Sequence, residues 1–151
     1  MLSSGRFTVG AMSTSTSPPT FKRTPVNPWS WSLNFGYNQA EVVEGTRRQL
    51  ICAGQTAVDA GGNPQHPGDM RSQITLALDN LEAVLAAADM DLTNVTRLDI
   101  YATDVDELMK HFDVLGARLG SVGATPPQTV LGVTRLAIPP LMFEISATAA
   151  G

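Results

Sequence analysis

Residues 69–103, DMRSQITLALDNLEAVLAAADMDLTNVTRLDIYAT, change period once, and that change decides the fold. Ile74, Leu78, Leu81 and Leu85 recur at steps of four, three and four among strong helix formers, which predicts a helix from Asp69 to Asp89. "NVTRLDIYAT" then returns to strand. Downstream, Asp106 is predicted to cap a second helix over "DELMKHFDVLGARLG", with Leu108, Phe112, Leu115 and Leu119 on one stripe and Gly120 as its stop. "QTVLGVTRL" and "LMFEISATA" follow as strands joined through "AIPP". Upstream, "WSWSLNFGY" sets Trp29, Trp31, Leu33, Phe35 and Tyr37 at alternate positions and reads as a strand. "AEVVEG" and "RRQLICAG" read as further strand, ending at the turn-rich "DAGGNPQHPG".

Strand, helix, strand, helix, strand describes two crossover units. Crossovers are right-handed in nearly all cases, so an α+β domain with two helices packed on one face of a mixed β-sheet is expected. The other face would include Met142 and Val130 or Leu131, too apolar to leave in water, and is predicted to pack against copies of the chain. A length of 151 residues, 43% of them hydrophobic, suits one domain with a real core. The opening stretch is rich in Ser, Thr and Pro and has no acidic residue, a composition shared by organelle transit peptides and floppy tails. The tail reading is preferred: residues 1–27 as a flexible N-terminal tail, 28–151 as the domain, with Met12 a second candidate start.

Composition also excludes. A net charge of -4, with no basic cluster beyond Lys22-Arg23 and Arg47-Arg48, leaves no stripe to track a phosphate backbone, so no nucleic acid partner is expected. No apolar run approaches the ~20 residues that span a bilayer, so no membrane partner is expected either. Cys52 is the only cysteine and His66 and His111 stand apart, so neither an internal disulfide nor a metal site is expected, which fits a reducing cytoplasm. Cys52 reads as an inert buried thiol, His111 as a solvated surface residue and Arg135 as half of a structural salt bridge. "AGGNPQHPG" lacks the spacing of a phosphate loop and reads as a plain loop.

Glu144 stands alone in an apolar run with Leu141, Met142, Phe143 and Ile145. Alternation puts Leu141, Phe143, Ile145 and Ala147 on one face and Met142, Glu144, Ser146 and Thr148 on the other. Periodicity alone makes Glu144 an ordinary exposed position, whereas the predicted oligomer would turn that face into the lining of a barrel or cleft.

Five stretches in order, "GYNQA", "AGQTAVDAGGNPQ", "GDMRSQITLALDNLEAVLAAADM", "VTRLDIYATDVDEL" and "GVTRLAIPPLMFEISATA", resemble the RidA/YjgF/UK114 family from about Gly36 to Ala149. The resemblance implies a chorismate-mutase-like fold and a homotrimer with a small-molecule pocket between neighbouring subunits. It also implies hydrolysis of reactive enamines or imines to a carbonyl compound and ammonia, without metal or organic cofactor. Glu144 matches the family's water-handling glutamate, and Gln128, Tyr37, Phe112 and Gly54 fall in the substrate-binding set. Two departures stand out: Gln128 holds the place of an arginine that clamps the substrate carboxylate, and Phe112 replaces an Asn common on the pocket helix. Gln is neutral and cannot offset a carboxylate's charge, which implies an atypical substrate. The alternative is a trimeric binding module that has lost the chemistry.

Overall fold

The helix predicted over residues 69–89 is α1, Met70–Ala87, and the rest of the domain is laid against it. The computed structural model describes residues 21–151. Asp69 caps α1 by accepting the Ser72 N–H at 3.1 Å and the Ser72 hydroxyl at 2.7 Å. These bonds hold the Asp69 carboxyl below its usual range. The stripe Ile74, Leu78, Leu81 and Leu85 is buried, as its spacing requires.

The strands in chain order are β1 (Lys22–Val26), β2 (Ala40–Glu44), β3 (Gln49–Ile51), β4 (Gln55–Thr56), β5 (Val95–Ala102), β6 (Gln128–Gly132) and β7 (Phe143–Ala150). β1 and β2 form an antiparallel ribbon. The main sheet runs β3-β7-β5-β6, with β4 also on β7; β5 and β6 are parallel and the other pairs antiparallel. Leu98 and Ile100 of β5, and Phe143, Ile145, Ala147 and Ala149 of β7, join the α1 stripe in one core, so the helices cover one face. The opposite face carries Glu144, Ser146 and Thr148, and leaves Ile51 76% and Leu131 52% exposed. Val130 pairs with Ile100 and so belongs to the helix side, which settles the choice between Val130 and Leu131.

Three expectations are corrected. "WSWSLNFGY" is not a strand: Trp31–Phe35 form a 3₁₀ turn that ends at Gly36, whose φ of 80° is a left-handed conformation suited to glycine. Large residues at every second position also satisfy a four-residue spacing, and it is Trp31 and Phe35 that come together, rings 6.5 Å apart and edge to face. The second helix is two, α2 (Val105–Lys110) and α3 (Asp113–Ser121), broken at His111, whose φ of -120° leaves helical geometry. Its cap is Asp104, which accepts the Glu107 N–H at 3.0 Å, and not Asp106. The expected tail is shorter than 1–27, because Lys22–Val26 pair with β2. Arg23 locks this strand down, donating to Glu41 at 2.7 Å and to the Thr93 and Val95 carbonyls at 2.7 and 2.6 Å. Residues 1–20 lie outside the described residues. No described helix is long and apolar enough to cross a membrane.

Candidate active site

The five residues singled out in the sequence fall into two clefts on opposite faces of the sheet. Glu144 sits at the sheet's centre, opposite Thr56 of β4 and Tyr101 of β5. Its face is helix-free because β7 alternates, with Phe143 and Ile145 turned into the core. Gly54 makes room for it: a Cβ there would stand 1.9 Å from Glu144 Oε1, so the carboxylate occupies the volume that any other residue at 54 would fill. Cys52, Gly54, Tyr101, Arg135, Glu144 and Ser146 line an open cleft of about 500 Å³.

The side chains that hold this cleft in shape come from α1. Gln73, fully buried, donates to the His66 and Pro140 carbonyls, each at 3.0 Å, and accepts the Met142 N–H at 2.7 Å. Asn80 donates to the Thr56 and Val58 carbonyls at 2.9 and 3.0 Å. One residue thus fixes the entry into β7 and the other fixes β4, the two strands that bracket Glu144 and Gly54. For the Pro140 and Val58 carbonyls these bonds supply the donor, while the His66 and Thr56 carbonyls also accept the Asp69 and Val58 N–H groups.

Arg135 corrects an expectation. Its guanidinium donates to the Leu136 and Ala137 carbonyls, both at 3.2 Å, and it makes no salt bridge among the described residues. Glu144 likewise has no ion-pair or hydrogen-bond partner among them. The cleft therefore presents an unpaired cation and an unpaired carboxylate. Cys52 is only half-buried and lines this same cleft; burial raises its thiol pKa, which keeps it protonated and poorly nucleophilic near neutrality.

The second cleft, of about 400 Å³, lies on the helix side at edge strand β6. Tyr37, Phe112 and Gln128 meet there, with Trp31, Phe35, Met109 and Val130. Gln128 and Val130 point the same way because they alternate along β6. Phe112 reaches the cleft from the head of α3, at the helix break. Trp31 lies edge to face with Tyr37 at 6.1 Å.

Asn38 fastens the Tyr37 segment to the loop before β6. Almost fully buried, it donates its side chain to Glu41 and Thr125 at 3.0 Å and its N–H to the Thr125 carbonyl. It also accepts from Asn27 at 2.9 Å, an anchor that lies in the stretch read from sequence as tail. The Gln128 Oε1 atom is buried and has no hydrogen-bond partner among the described residues.

Tyr101, Arg135 and the Trp31–Phe35 pair were not singled out as lining residues from sequence. Tyr101 carried a signal, since its place in β5 alternates with buried Ile100 and Ala102. For Trp31 and Phe35 the four-residue spacing was the signal. His111, read as a solvated surface residue, is instead half-buried at the end of α2, its Nε2 3.2 Å from Glu107. Among the described residues no group of His, Cys, Asp and Glu is disposed to hold a metal ion.

Comparison with known proteins places these features. Residues 33–151 match the family model described as Endoribonuclease L-PSP. The crystal structure of YyfB from Yersinia pestis, a Rid-family protein of unknown function, superposes with a TM-score of 0.76 at 33% identity over 85% of this chain and 98% of that one. The mitochondrial protein mmf2 of Schizosaccharomyces pombe is 33% identical over 85 residues, 56% of this chain and 64% of that protein, just under two thirds of its length. The 2-iminobutanoate/2-iminopropanoate deaminase of Rattus norvegicus is 31% identical over 71 residues, 47% of this chain and 50% of that protein.

Proposed function

The chain belongs to the Rid (YjgF/UK114) family, with its chorismate-mutase-like α+β fold, and from that premise we propose that it hydrolyses a small enamine or imine to a carbonyl compound and ammonia. The observation that carries this reading is Glu144: a half-buried carboxylate, free of partners among the described residues, held above Gly54 at the centre of a cleft. Such a group can take a proton from water as the water attacks an electrophilic C=N carbon. The balance is simple. An enamine tautomerises to the imine, water adds across C=N, and the aminol collapses to C=O as the nitrogen leaves as ammonia. The name of the Rattus norvegicus relative, an iminobutanoate and iminopropanoate deaminase, supports this class of chemistry.

The reading includes a homotrimer and a cytoplasmic setting. Ile51 and Leu131 on the helix-free face favour contact with further copies, and β6 offers a free edge among the described strands. In such an assembly the Glu144 cleft of one subunit can face the Gln128 cleft of its neighbour, which would complete the site from two halves. Sedimentation showing only a species of single-chain mass at micromolar concentration would overturn the assembly.

Gln128 sets the test of the chemistry. A neutral amide cannot offset the charge of an imino acid, so the protein should hydrolyse 2-iminopropanoate slowly. Gln128→Arg is expected to raise that rate roughly tenfold to a few hundredfold, the equivalent of about 1.5–3 kcal/mol for a charged hydrogen bond. Glu144→Gln in the same background should remove the gain while the fold, followed by circular dichroism, is kept. If Gln128→Arg folds and assembles but brings no gain, the non-catalytic small-molecule-binding module becomes the better account.

A further inference from the structure

The Gln128 cleft has a chemistry of its own, and it differs from that of the Glu144 cleft. Its described lining includes Trp31, Phe35, Tyr37, Phe112 and Val130 and contains no charged side chain. Trp31 and Phe35 are 52% and 69% exposed. They are held outward by a turn that ends at left-handed Gly36. The polar side-chain groups in this lining are the Trp31 indole N–H, the Tyr37 hydroxyl and the Gln128 amide. Of these, Gln128 Oε1 is buried and without a partner among the described residues. A buried acceptor left without a donor is costly, and a site built around one favours whatever brings an N–H or O–H to it.

We propose that this cleft takes a neutral, flat, apolar compound that stacks among Trp31, Phe35 and Phe112 and donates an N–H to Gln128 Oε1, and that it disfavours carboxylates. The selectivity follows from what each candidate would meet. An aromatic or vinylogous body gains edge-to-face contacts with the rings and loses little conformational freedom. Its N–H supplies the missing donor. A carboxylate can accept from Trp31, Tyr37 or the Gln128 Nε2, but it leaves Oε1 without a donor, finds no cation in the described lining to repay the water it gives up, and across the proposed assembly meets only Arg135, whose guanidinium already donates to two carbonyls. The volume of about 400 Å³ admits a ring with a short substituent. The assignment rests on the proposed function in taking this cleft as the substrate's place, and it names the substrate class: an uncharged enamine or imine on an aromatic or similarly flat apolar frame.

Binding tests this without turnover. Benzamide and benzoate share one ring and differ in whether the head group carries an N–H or a negative charge. Each would be titrated into the intact protein and followed through the indole N–H resonance of Trp31. Benzamide is expected to bind at least roughly tenfold more tightly than benzoate, the ratio that one net hydrogen bond of about 1.4 kcal/mol supplies. Gln128→Arg should reverse the order. Trp31→Ala should weaken benzamide, and because Trp31 is a surface residue this variant is expected to fold. Benzoate binding as tightly as benzamide, or neither giving a saturable shift, would overturn the proposal. The two readings fail separately: loss of imine hydrolysis with benzamide selectivity intact removes the chemistry alone, and hydrolysis of 2-iminopropanoate without that selectivity removes the neutral-ligand assignment alone.

Discussion

The Glu144 and Gln128 clefts are built in contrasting ways. Around Glu144 the polar reach of α1 dominates: Gln73 and Asn80 span from helix to backbone carbonyls and set the carboxylate's own strand and its neighbour β4. Around Gln128 the hydrogen bonds of Asn38, Asn27 and Thr125 lie away from α1 and fasten an aromatic turn onto an edge strand. One site is fixed from the middle of the core and the other from its rim. On the proposed function, catalytic geometry belongs with the first, where small displacements are resisted, and ligand choice with the second, where a turn can change its side chains without disturbing the sheet.

The sharpest way to break this contrast is at Gly54. Gly54→Ala forces the Glu144 carboxylate from its place, and a displacement on the scale of 1 Å is expected to lower imine turnover roughly hundredfold. Benzamide binding should be unchanged, because Gly54 takes no part in the Gln128 cleft. If both fall together, the two clefts are one mechanical unit.

The next pair of variants compares the anchors. Gln73→Met leaves the Pro140 carbonyl and the Met142 N–H without their partner, the His66 carbonyl keeping the Asp69 N–H, and should cost about 2 kcal/mol, seen as a fall in Tm of roughly 4–8 °C. Benzamide affinity in the folded protein should hold. Asn38→Ala should cost less, about 1–2 kcal/mol, since its partners lie nearer to water, yet weaken benzamide severalfold by loosening Tyr37. Equal effects of both variants on benzamide affinity would contradict the division into core and rim.

The smallest expected effect concerns Cys52. Its pKa is raised by burial, so the reactive thiolate becomes abundant only at a pH above that of an unperturbed thiol. Alkylation by iodoacetamide at pH 8 should therefore run a few times slower than for a free thiol. An unperturbed rate would show that the Glu144 cleft is wetter than its lining indicates.

What could be read in the sequence follows the same division. The α1 stripe and the alternation of β7 were legible because one buried face imposes one period. Gln73 and Asn80 lie within the stretch that resembles the family, but their bonds to distant carbonyls were not legible, since backbone partners leave no pattern of side chains. The Trp31–Phe35 turn was misread because its large residues satisfy two periods at once, and exposure removes the packing that would choose between them. β1 was missed for a related reason: a Ser, Thr and Pro-rich stretch has little apolar period, and what fixes it is the bonding of Arg23 to Glu41 and to carbonyls about seventy residues away.

The contact between Gly54 and Glu144 also constrains the order in which this surface can change over generations. With Glu144 in place, any side chain at 54 collides with it, so the first step away from glycine is penalised. Once 144 is a small residue the same step meets open volume, and a later return to glutamate has to place its carboxylate elsewhere. Position 54 thus couples to position 144, so the order in which the two change decides whether a carboxylate can return to the place it now holds. Ala at 54 combined with Ala at 144 should fold at least as well as Ala at 54 alone, a reversal of the usual accumulation of damage that a double-mutant cycle on thermal stability would register.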